Sequence, residues 1–555
     1  MNMRLIVALV LSILVLLLYQ SWMGSRLKKE APDQQKIAEG QRREGEEKWL
    51  EEERQAPRVP EAKPQLATGV TYEDVVVDTP LYTATFTTYG ARLKTWSLKE
   101  YNDKVPMHPL GKFVQNLVGS VLGRDKADDS PAQAIDLVNT EELEYLPLGM
   151  SLRAGVQYDE SIPFVPSSKK VVLEENGEKA DLLFQWNGPT GVRILRKYSF
   201  FADTYEVDTD VVIGNSRGGG VVNGTLGLTW QATMGETKRF RGFYGPVYYG
   251  GGKLEKIKSK KLKNEDKVVR DVEWFGFDQD YFISLIYPAS DRKKLILSRE
   301  SGERIAGQLL SPVEVQSGDT ARVSYRLFLG PKVRKLLAEV GPTTKKAVDY
   351  GWFGFLAIPI LQIVNFTNKF TGNYGVDIIL LSVFLKIIFT PLTHKSQQSM
   401  KAMQKLQPEL KRLQQKYKGD KQALNREMME LYKRRKVNPF SGCLPMLVQL
   451  PVFFALYQGL LNSIELRHSP FILWIRDLAD KDPTYISPLL MGASMFLQQK
   501  MTTMPTADPT QAKMMMLMPI FFTFIFLSFP SGLVLYWLVT NILTIAHQMY
   551  VNRRK

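Results

Sequence analysis

The stretch Tyr374–Thr393, which reads YGVDIILLSVFLKIIFTPLT, decides how the rest of the chain must be arranged. It is almost wholly apolar and, as a helix rising about 1.5 Å per residue, it is long enough to cross the ~30 Å hydrocarbon core of a bilayer. Lys386 is the exception, because a lysine at this depth costs about 2.5–3.5 kcal/mol on insertion scales. Ser382 and Thr390 lie one helical turn before and after it, on the same face. This stripe predicts a wet cavity in the membrane, or else a lysine that snorkels to the nearer interface.

Other apolar segments lie on both sides of this helix. Residues Leu5–Tyr19 resemble a signal peptide without a small-x-small cleavage site, which predicts an uncleaved signal anchor. Together the segments predict six membrane spans. The predicted organisation is an anchor at 1–25, a charged linker at 26–67, a β-sandwich at 68–335, a connector with an interfacial helix at 336–373, the second span at 374–393, a basic helical hairpin at 394–438, spans three to six at 439–550 and a basic tail at 551–555.

The long polar region before the spans has the pattern of β-strands. Tyr205–Ile213 alternates apolar with polar residues, and Asn176-Gly177 between Val171–Leu173 and Leu182–Phe184 signals a hairpin. A region of this length with such punctuation favours a large antiparallel β-sandwich. The stretch YGARLKTWSL at Tyr89–Leu98 resembles the opening strand of galactose-mutarotase-like sandwiches. No pair of His and Glu stands out as the acid and base of a mutarotase, so that activity is not expected.

The segment from His394 to Asn438 is strongly basic. It holds thirteen lysines and arginines against four acids, a net charge of +9. Apolar residues recur every three or four positions on either side of Lys418-Gly419-Asp420, which predicts a helical hairpin with a thin apolar seam. The basic residues expected on its surface are Lys401, Lys405, Lys411, Arg412, Lys416, Arg426, Lys433, Arg434 and Arg435.

Charge also predicts the topology. The loop Asn462–Thr484 has a net charge of −1, so the positive-inside rule places the hairpin and the C-terminal tail in the cytoplasm and this loop outside. The side on which the large domain lies depends on Gly351–Phe370, which either lies flat in the interface or spans. If it lies flat, the large domain is outside and the N-terminus is cytoplasmic. If it spans, the large domain is inside, which Arg26, Lys28 and Lys29 after the first apolar segment favour.

The later spans carry thin polar stripes of their own. Gln449 lies in the middle of one span, and Tyr536, Thr540 and Thr544 share one face of the last. Such residues often join membrane helices through hydrogen bonds. Together with Lys386, however, they predict a hydrophilic groove open to the cytoplasm.

Composition argues against several classes of enzyme. The chain has one cysteine, Cys443, and four scattered histidines, so a metal site or a histidine-based catalytic triad is poorly supported. No Gly-rich, lysine-ended nucleotide loop occurs. We therefore expect no catalytic residues, no metal and no cofactor.

Four runs carry a family resemblance: LQP at 406–408, KVNPFSGCLPMLVQLPVFFALY at 436–457, PFILWIRDL at 470–478 and FPSGLVLYW at 529–537. From Asp349 to about Tyr550 the sequence resembles the YidC-type membrane protein insertases of the Oxa/Alb/YidC family, in their Gram-negative form. The resemblance implies a periplasmic mutarotase-like sandwich, with Gly351–Phe370 flat on the outer surface. It also implies that Lys386 stands where the family usually has an arginine, and that Ser382, Tyr536 and Trp537 contact substrate.

The expected function is therefore that of a multi-pass inner membrane insertase and chaperone. It would insert, fold and assemble integral membrane proteins, alone or with the Sec translocon (SecYEG and SecDF). The implied partners are nascent membrane proteins, the ribosome and signal recognition particle pathway, and anionic lipids, with no small-molecule substrate. Two alternatives remain at this point: a secondary transporter, although no inverted repeat is evident, and a membrane-anchored periplasmic protein that binds or modifies carbohydrate.

Overall fold

The fold is taken from a computed structural model of the chain. It describes residues 70–122, 130–153, 158, 161–188, 191–216, 220–234, 243–258, 262, 266–289, 293–299, 304–435, 437, 444–501 and 509–553. The predicted anchor at 1–25 and linker at 26–67 lie outside these ranges.

The first half of the described chain is a two-sheet β-structure. Its strands are β1 Asp74–Asp78, β2 Tyr82–Thr87, β3 Arg92–Asn102, β4 Ala134–Asp136, β5 Gly149–Arg153, β6 Val165–Pro166, β7 Lys170–Val172, β8 Lys179–Asn187, β9 Val192–Phe201, β10 Glu206–Asn215, β11 Val222–Thr233, β12 Tyr244–Gly250, β13 Lys253–Lys256, β14 Lys267–Gln279, β15 Phe282–Pro288, β16 Lys293–Arg299, β17 Arg304–Val315 and β18 Thr320–Pro331. The smaller sheet has the order β4-β3-β2-β1-β7. The larger has the order β5-β11-β17-β16-β14-β15-β18-β10-β9-β8-β6, with β12 and β13 attached through β14.

The two sheets pack face to face through aromatic side chains. The ring of Phe86 in β2 lies 4.8 Å from that of Tyr198 and 5.8 Å from that of Phe200, both in β9. Trp96 in β3 donates a hydrogen bond of 2.9 Å to the carbonyl of Leu329 in β18. Along β10, alternate residues from Val207 onward are buried, as period-two alternation predicts. The predicted antiparallel β-sandwich is therefore confirmed.

The predicted hairpin around Asn176-Gly177 is wrong in its pairing. β7 runs parallel to β1 in the smaller sheet, whereas β8 pairs with β9 in the larger one. Gly177 adopts a left-handed φ of 86°, so the turn itself is present. It carries the chain from the smaller sheet to the larger one.

A buried arginine holds the turn within the stretch Tyr89–Leu98. Gly90 and Ala91 have φ angles of 59° and 50°, an unfavourable region for alanine. Arg196 in β9 is fully buried and donates to the Gly90 carbonyl at 2.6 Å, while the Tyr198 hydroxyl donates to that of Ala91 at 2.9 Å. These hydrogen bonds satisfy carbonyls that no strand could reach, and they stabilise the strained turn.

The helices lie between the strands of the first half and after them. They are α1 Pro109–Leu122, α2 Arg334–Val340, α3 Gly354–Thr371, α4 Tyr374–Lys405, α5 Gln407–Lys416, α6 Lys421–Arg434, α7 Leu444–Asn462, α8 Ile486–Met501, α9 Pro509–Phe526 and α10 Ser531–Arg553. Within the described ranges, two helices are long and apolar enough to cross a membrane, namely α4 and the part of α10 at Ser531–Val551. The segments predicted as spans three to five form helices α7, α8 and α9. The count of six spans stays a prediction.

The helix that holds the predicted second span continues beyond Thr393, where that span was predicted to end. α4 continues through Pro391 and the polar residues beyond it to Lys405. The extension is held against α10, because Lys401 donates to the carbonyl of Val551 at 3.4 Å. The predicted turn at 418–420 does separate two helices, α5 and α6. Asp420 caps α6 by accepting hydrogen bonds from the next turn, and Gly419 has a φ of 110°.

A buried ion pair lies where the sandwich meets the helices. Lys332, directly after β18, lies 2.8 Å from Asp278 in β14, and their side chains are only 3% and 2% exposed. Complete burial raises the pKa of the Asp278 carboxyl, and the Lys332 ammonium counteracts that shift. The backbone of Lys332 also donates to Tyr281, whose hydroxyl donates to the carbonyl of Leu460 at the end of α7. The pair therefore fixes the β14–β15 turn against the helices.

The loop between α7 and α8 holds the first turns of α4 and α10 together. Asn373 donates to the Phe471 carbonyl at 3.0 Å, and Ser531 donates to that of Asp477 at 2.7 Å. The Asp477 carboxyl accepts hydrogen bonds from the backbone of His468 and Ala479 within this loop. Burial nevertheless raises the pKa of Asp477 to about 6. This loop thus sets the relative position of the two long helices.

We expect Lys332→Met to lower the free energy of unfolding of the sandwich by about 3–5 kcal/mol, because it leaves the Asp278 carboxylate buried and unpaired. The double variant Lys332→Met/Asp278→Leu should recover much of this loss, since it removes both charges. Unfolding of the full-length protein in detergent, followed by tryptophan fluorescence, measures both. If the double variant loses as much stability as Lys332→Met and Asp278→Leu lose in sum, the two charges do not stabilise each other and the prediction is wrong.

Stability should also depend on the ionisation of Asp477. Between its ordinary pKa of 3.8 and about 6, the carboxyl is protonated in the folded protein and ionised in the unfolded chain. Its contribution is therefore full below pH 3.8 and is lost as the pH rises through 6, by at most about 3 kcal/mol. Asp477→Asn keeps an acceptor oxygen but does not titrate. Unfolding measured from pH 4 to pH 7 should thus show a steeper loss in the wild type than in this variant; parallel curves would exclude the effect.

Candidate functional site

The candidate site lies between α4 and α10, which run in the same direction. Ile378 lies beside Gly532 near the start of both helices, Lys386 contacts Thr544 further along, and Lys401 contacts Val551 near the end. Both helices begin at the loop between α7 and α8. α4 ends at Lys405, directly before the basic helices α5 and α6, and the end of α10 contacts this last part of α4 through Val551. A groove between α4 and α10 would thus have an apolar stem and, beside the end of α4, a basic mouth.

Lys386 is held across this interface by the opposite helix. Its ammonium donates to the hydroxyl of Thr544 at 2.8 Å. Thr544 in turn donates to the carbonyl of Thr540 at 2.7 Å, so its oxygen is left free to accept. An ammonium has three N–H donors. In the described part of the chain Lys386 forms no ion pair, which leaves donor capacity for an external acceptor.

The threonines of the stripe follow one pattern. Thr390 donates to the Lys386 carbonyl and Thr540 donates to the Tyr536 carbonyl, in each case one turn back along the same helix. These bonds satisfy the hydroxyl hydrogens without joining the helices. The oxygen lone pairs of these side chains, which are half-buried, are thus presented to the space between α4 and α10.

The other end of the predicted groove is closed. Ser382 is 1% exposed and donates to the Ile378 carbonyl, and Tyr536 is 2% exposed. The Gln449 side chain of α7 forms a hydrogen bond with the Tyr536 hydroxyl. Ser382 and Tyr536 are therefore buried on the side of the α7–α8 loop. Gln449, Lys386 and Thr544 are half-buried.

Trp537 packs against aromatic residues of α7 and α9 and not against Lys386. Its ring lies 5.2 Å from that of Phe453 in α7 and 5.5 Å from that of Phe526 in α9, within an aromatic cluster. Consecutive residues of a helix point about 100° apart, so Trp537 and Tyr536 cannot both face one groove. Its predicted contact with substrate stays a prediction, and the packing indicates a structural role.

Polar residues that were not predicted as site residues lie one helical turn beyond Thr390 and Thr544. The ring of His394 lies 5.8 Å from that of His547, and Gln398 lies 2.8 Å from the His394 ring. His394 is four residues after Thr390 and His547 is three residues after Thr544, and this spacing was a readable signal. It was missed because α4 was expected to end before His394.

The outer surface around this site is apolar. The exposed large apolar residues on the helices include Leu380, Val383, Phe384, Ile387, Ile388, Phe454, Leu489, Leu490, Phe496, Leu497, Leu517, Ile520, Phe521, Phe524 and Ile542. Water-soluble proteins do not expose continuous apolar area of this kind. The helices are therefore suited to lipid, with the polar groove as the exception.

The basic helices form a small unit with a core of its own. The core consists of Met403, Leu406, Leu410, Leu431 and Tyr432. Arg435 pairs with Glu409 at 2.6 Å and Arg434 with Glu430 at 3.6 Å. The remaining predicted basic residues of this region are exposed, apart from half-buried Lys401: Lys405, Lys411, Arg412, Lys416, Arg426 and Lys433.

A separate pocket of about 390 Å³ lies between α8 and α9, away from Lys386. Its lining includes Leu489, Gly492, Phe496, Pro519, Thr523 and Phe524, with no ionisable side chain. It does not extend the polar groove.

Comparisons with known proteins agree on one family. The family model of the 60Kd inner membrane protein matches residues 366–555, and that of the YidC periplasmic domain matches residues 124–363. The membrane protein insertase YidC of Geobacter sulfurreducens is 42% identical over 481 residues, which cover 86% of this chain and 85% of that protein. The YidC insertase of Syntrophus aciditrophicus is 40% identical over 488 residues, which cover 87% and 85%.

Similarities to solved structures are much weaker. A crystal structure of an active YidC insertase with its first transmembrane domain resolved matches with 17% identity and a TM-score of 0.36, over 89% of this chain and 95% of that one. A putative aldose 1-epimerase from Escherichia coli K12 matches with 7% identity and a TM-score of 0.28, over 47% and 99%. Scores at this level do not establish a shared fold, so the likeness to galactose mutarotase stays a prediction. On the sequence matches, which cover most of its length, the chain belongs to the YidC family of membrane protein insertases, an inner membrane family with a periplasmic domain.

Proposed function

We propose that the chain inserts membrane proteins by receiving their polar segments in the groove between α4 and α10. The observation that supports this most is the contact of Lys386 with Thr544, which holds a cation inside an apolar helix pair while donor capacity remains. A substrate segment would enter from the basic mouth with its acidic residues near Lys386. Its apolar helix would pass between α4 and α10 into lipid.

Magnitudes support an electrostatic role for Lys386. An acidic residue at the centre of a membrane helix costs about 2.5–3.5 kcal/mol on insertion scales. Two unit charges 4 Å apart attract by about 4 kcal/mol at an effective dielectric constant of 20. Attraction to one lysine is therefore at least as large as the cost of one carboxylate. Because an ammonium is a point charge without the planar fork of arginine, it favours attraction over bidentate pairing.

The net driving force would be the burial of the substrate helix in hydrocarbon. The groove shortens the apolar distance that polar chain must cross, and the surrounding apolar surface lets a new helix leave sideways. Neither step needs a nucleotide or another cofactor.

Capture of the substrate belongs, in this proposal, to α5 and α6. Their exposed lysines and arginines suit ribosomal RNA and anionic headgroups, which both attract cations without sequence specificity. The proposed partners are thus nascent membrane proteins, the ribosome and signal recognition particle pathway, anionic lipids, and the Sec translocon.

The proposed topology has six spans with both termini in the cytoplasm. α3 would lie flat on the outer surface, because Trp352, Phe355, Phe366 and Phe370 are exposed around it while Leu361 packs beside Gly459 of α7. A flat helix with an aromatic outer side suits the membrane interface.

We expect Lys386→Arg to retain insertion of a small protein with an acidic translocated end, and Lys386→Glu to lose it by about tenfold or more, because the attraction becomes repulsion. Insertion into proteoliposomes, scored by protease protection, measures this. Lys369→Glu on α3 is the matched control, since it reverses an exposed lysine on another helix and should have little effect. Equal insertion by Lys386→Glu would leave snorkelling as the explanation of Lys386.

We expect the combined reversal of Lys411, Arg412, Arg426 and Lys433 to glutamate to weaken ribosome binding and ribosome-dependent insertion together. These residues form no ion pair with any residue that the structure describes, so the fold of α5 and α6 should persist. Cosedimentation with ribosomes at low and high salt measures binding, and circular dichroism checks the helices. Unchanged binding at low salt would rule out capture by this surface.

We also expect α5 and α6 to act as a mobile arm in this capture. Hydrogen exchange on the purified protein measures this, because amides of α5 and α6 that exchange as slowly as those of α7 would exclude a mobile arm.

The topology predicts the pattern of proteolysis. Protease added to spheroplasts should cut the region 70–331 and spare 394–435. Cleavage in broken vesicles serves as the control for accessibility of the basic helices. Cleavage of 394–435 in intact spheroplasts, with the sandwich protected, would reverse the proposed orientation.

A further inference from the structure

Helix α1 of the sandwich exposes its large apolar residues and buries its glycines. It reads PLGKFVQNLVGSVL, and its buried positions include Gly111 and Gly119. Phe113 is 67% exposed and Leu117 53%, and Leu110 on the same face is exposed as well. A helix on a water-soluble domain would bury its phenylalanine and leucines and expose its small residues. α1 does the reverse.

The contacts of α1 place it beside the membrane helices. A Cβ atom at Gly111 would lie 3.1 Å from Cγ of Pro483, so glycine is what allows the helix to approach the α7–α8 loop. Pro483 is three residues before the start of α8 at Ile486. Near α1, Arg467 of the same loop donates to the carbonyl of Asn102 in β3 at 2.7 Å.

The loop itself also exposes apolar side chains. Ile472 and Leu473 are both largely exposed, and Leu473 has a left-handed φ of 54°. A bulky residue in this conformation carries backbone strain, which the fold tolerates in order to turn these side chains outward. The buried side of α1 is therefore docked, through Gly111, on a loop that presents apolar residues at the head of the membrane helices, and its exposed apolar face lies at the same level of the molecule.

We propose that α1 inserts its Leu110–Phe113–Leu117 face into the outer leaflet of the inner membrane, as an interfacial anchor of the sandwich. The occupant of this face is lipid, because α1 is docked on the loop at the head of the membrane helices and that loop itself exposes Ile472 and Leu473. An interfacial helix of this kind buries its apolar side chains about 5–10 Å into the headgroup and acyl boundary. The inference rests on the proposed placement of α7 and α8 in the membrane.

The test uses the full-length protein in vesicles of phosphatidylglycerol and phosphatidylcholine. In a Cys443→Ser background, Phe113→Cys carries a nitrobenzoxadiazole label, and phospholipids brominated near the carboxyl end of their acyl chains act as quencher. Gln115→Cys on another face of α1 is the matched control. Val221→Cys is a second control, because Val221 is an exposed residue of the same domain. It directly precedes β11, whose first residue pairs with Val315 of β17. This end of the sandwich is opposite the end that holds Pro331, where the chain leaves for the helices. Leu489→Cys on the exposed face of α8 reports whether that helix is in lipid.

The label at Phe113 should be quenched at least about twice as strongly as those at Gln115 and Val221, as expected for a ring at the acyl boundary. Equal quenching at the three positions, with Leu489 quenched, overturns the anchor and leaves the proposed function intact. Absence of quenching at Leu489 as well overturns the placement of α8. A further outcome concerns two samples of Phe113→Cys. If the unlabelled chains form a disulfide spontaneously and the label in the labelled sample is shielded from lipid, the face belongs to a second copy, which also overturns the proposal.

Discussion

A lysine ammonium within an apolar helix must keep hydrogen-bond partners, and this constraint shapes the membrane half of the protein. Lys386 meets it with one donor directed to Thr544 on α10 and the others left for water or a carboxylate. The bond requires α4 and α10 to lie side by side with polar stripes facing. In the proposed groove the remaining donors would need water or an anion, since a dry ammonium without an anion would cost several kcal/mol. The arrangement of polar residues around Lys386 thus follows from the need to solvate its ammonium group.

The register of those two helices is set outside the membrane. The α7–α8 loop holds Asn373 and Ser531, each at the head of one helix. The sandwich in turn contacts this half of the molecule through Tyr281 and Arg467. The buried pair Asp278–Lys332 contributes rigidity at this junction, because a charge pair with correct geometry is far more stable than either charge alone. A chain of contacts therefore runs from the sandwich to the helices that hold Lys386.

The closed and open ends of the groove differ in chemistry. Ser382, Tyr536 and Gln449 satisfy one another or their own backbone, so that end is packed and neutral. Beyond Lys386 the stripe continues to His394 and His547 and then to the basic helices. Basic residues thus follow the polar stripe where α4 ends and α5 and α6 begin.

The sequence by itself determined individual strands, helices and turns, and the polar face of each long helix. Strand alternation in β10, the apolar runs of α4 and α10, the Gly419 turn and the stripes containing Lys386 and Thr544 all follow from local periodicity, which depends only on neighbouring residues. Only the tertiary structure decided which stripes meet and which strands pair. The partner of β7 lies in another sheet, α4 continues past Pro391 because α10 supports it, and Trp537 belongs to an aromatic cluster although Tyr536 precedes it. These outcomes depend on contacts between residues far apart in the chain, and a periodic pattern specifies the face that must be covered without specifying what covers it.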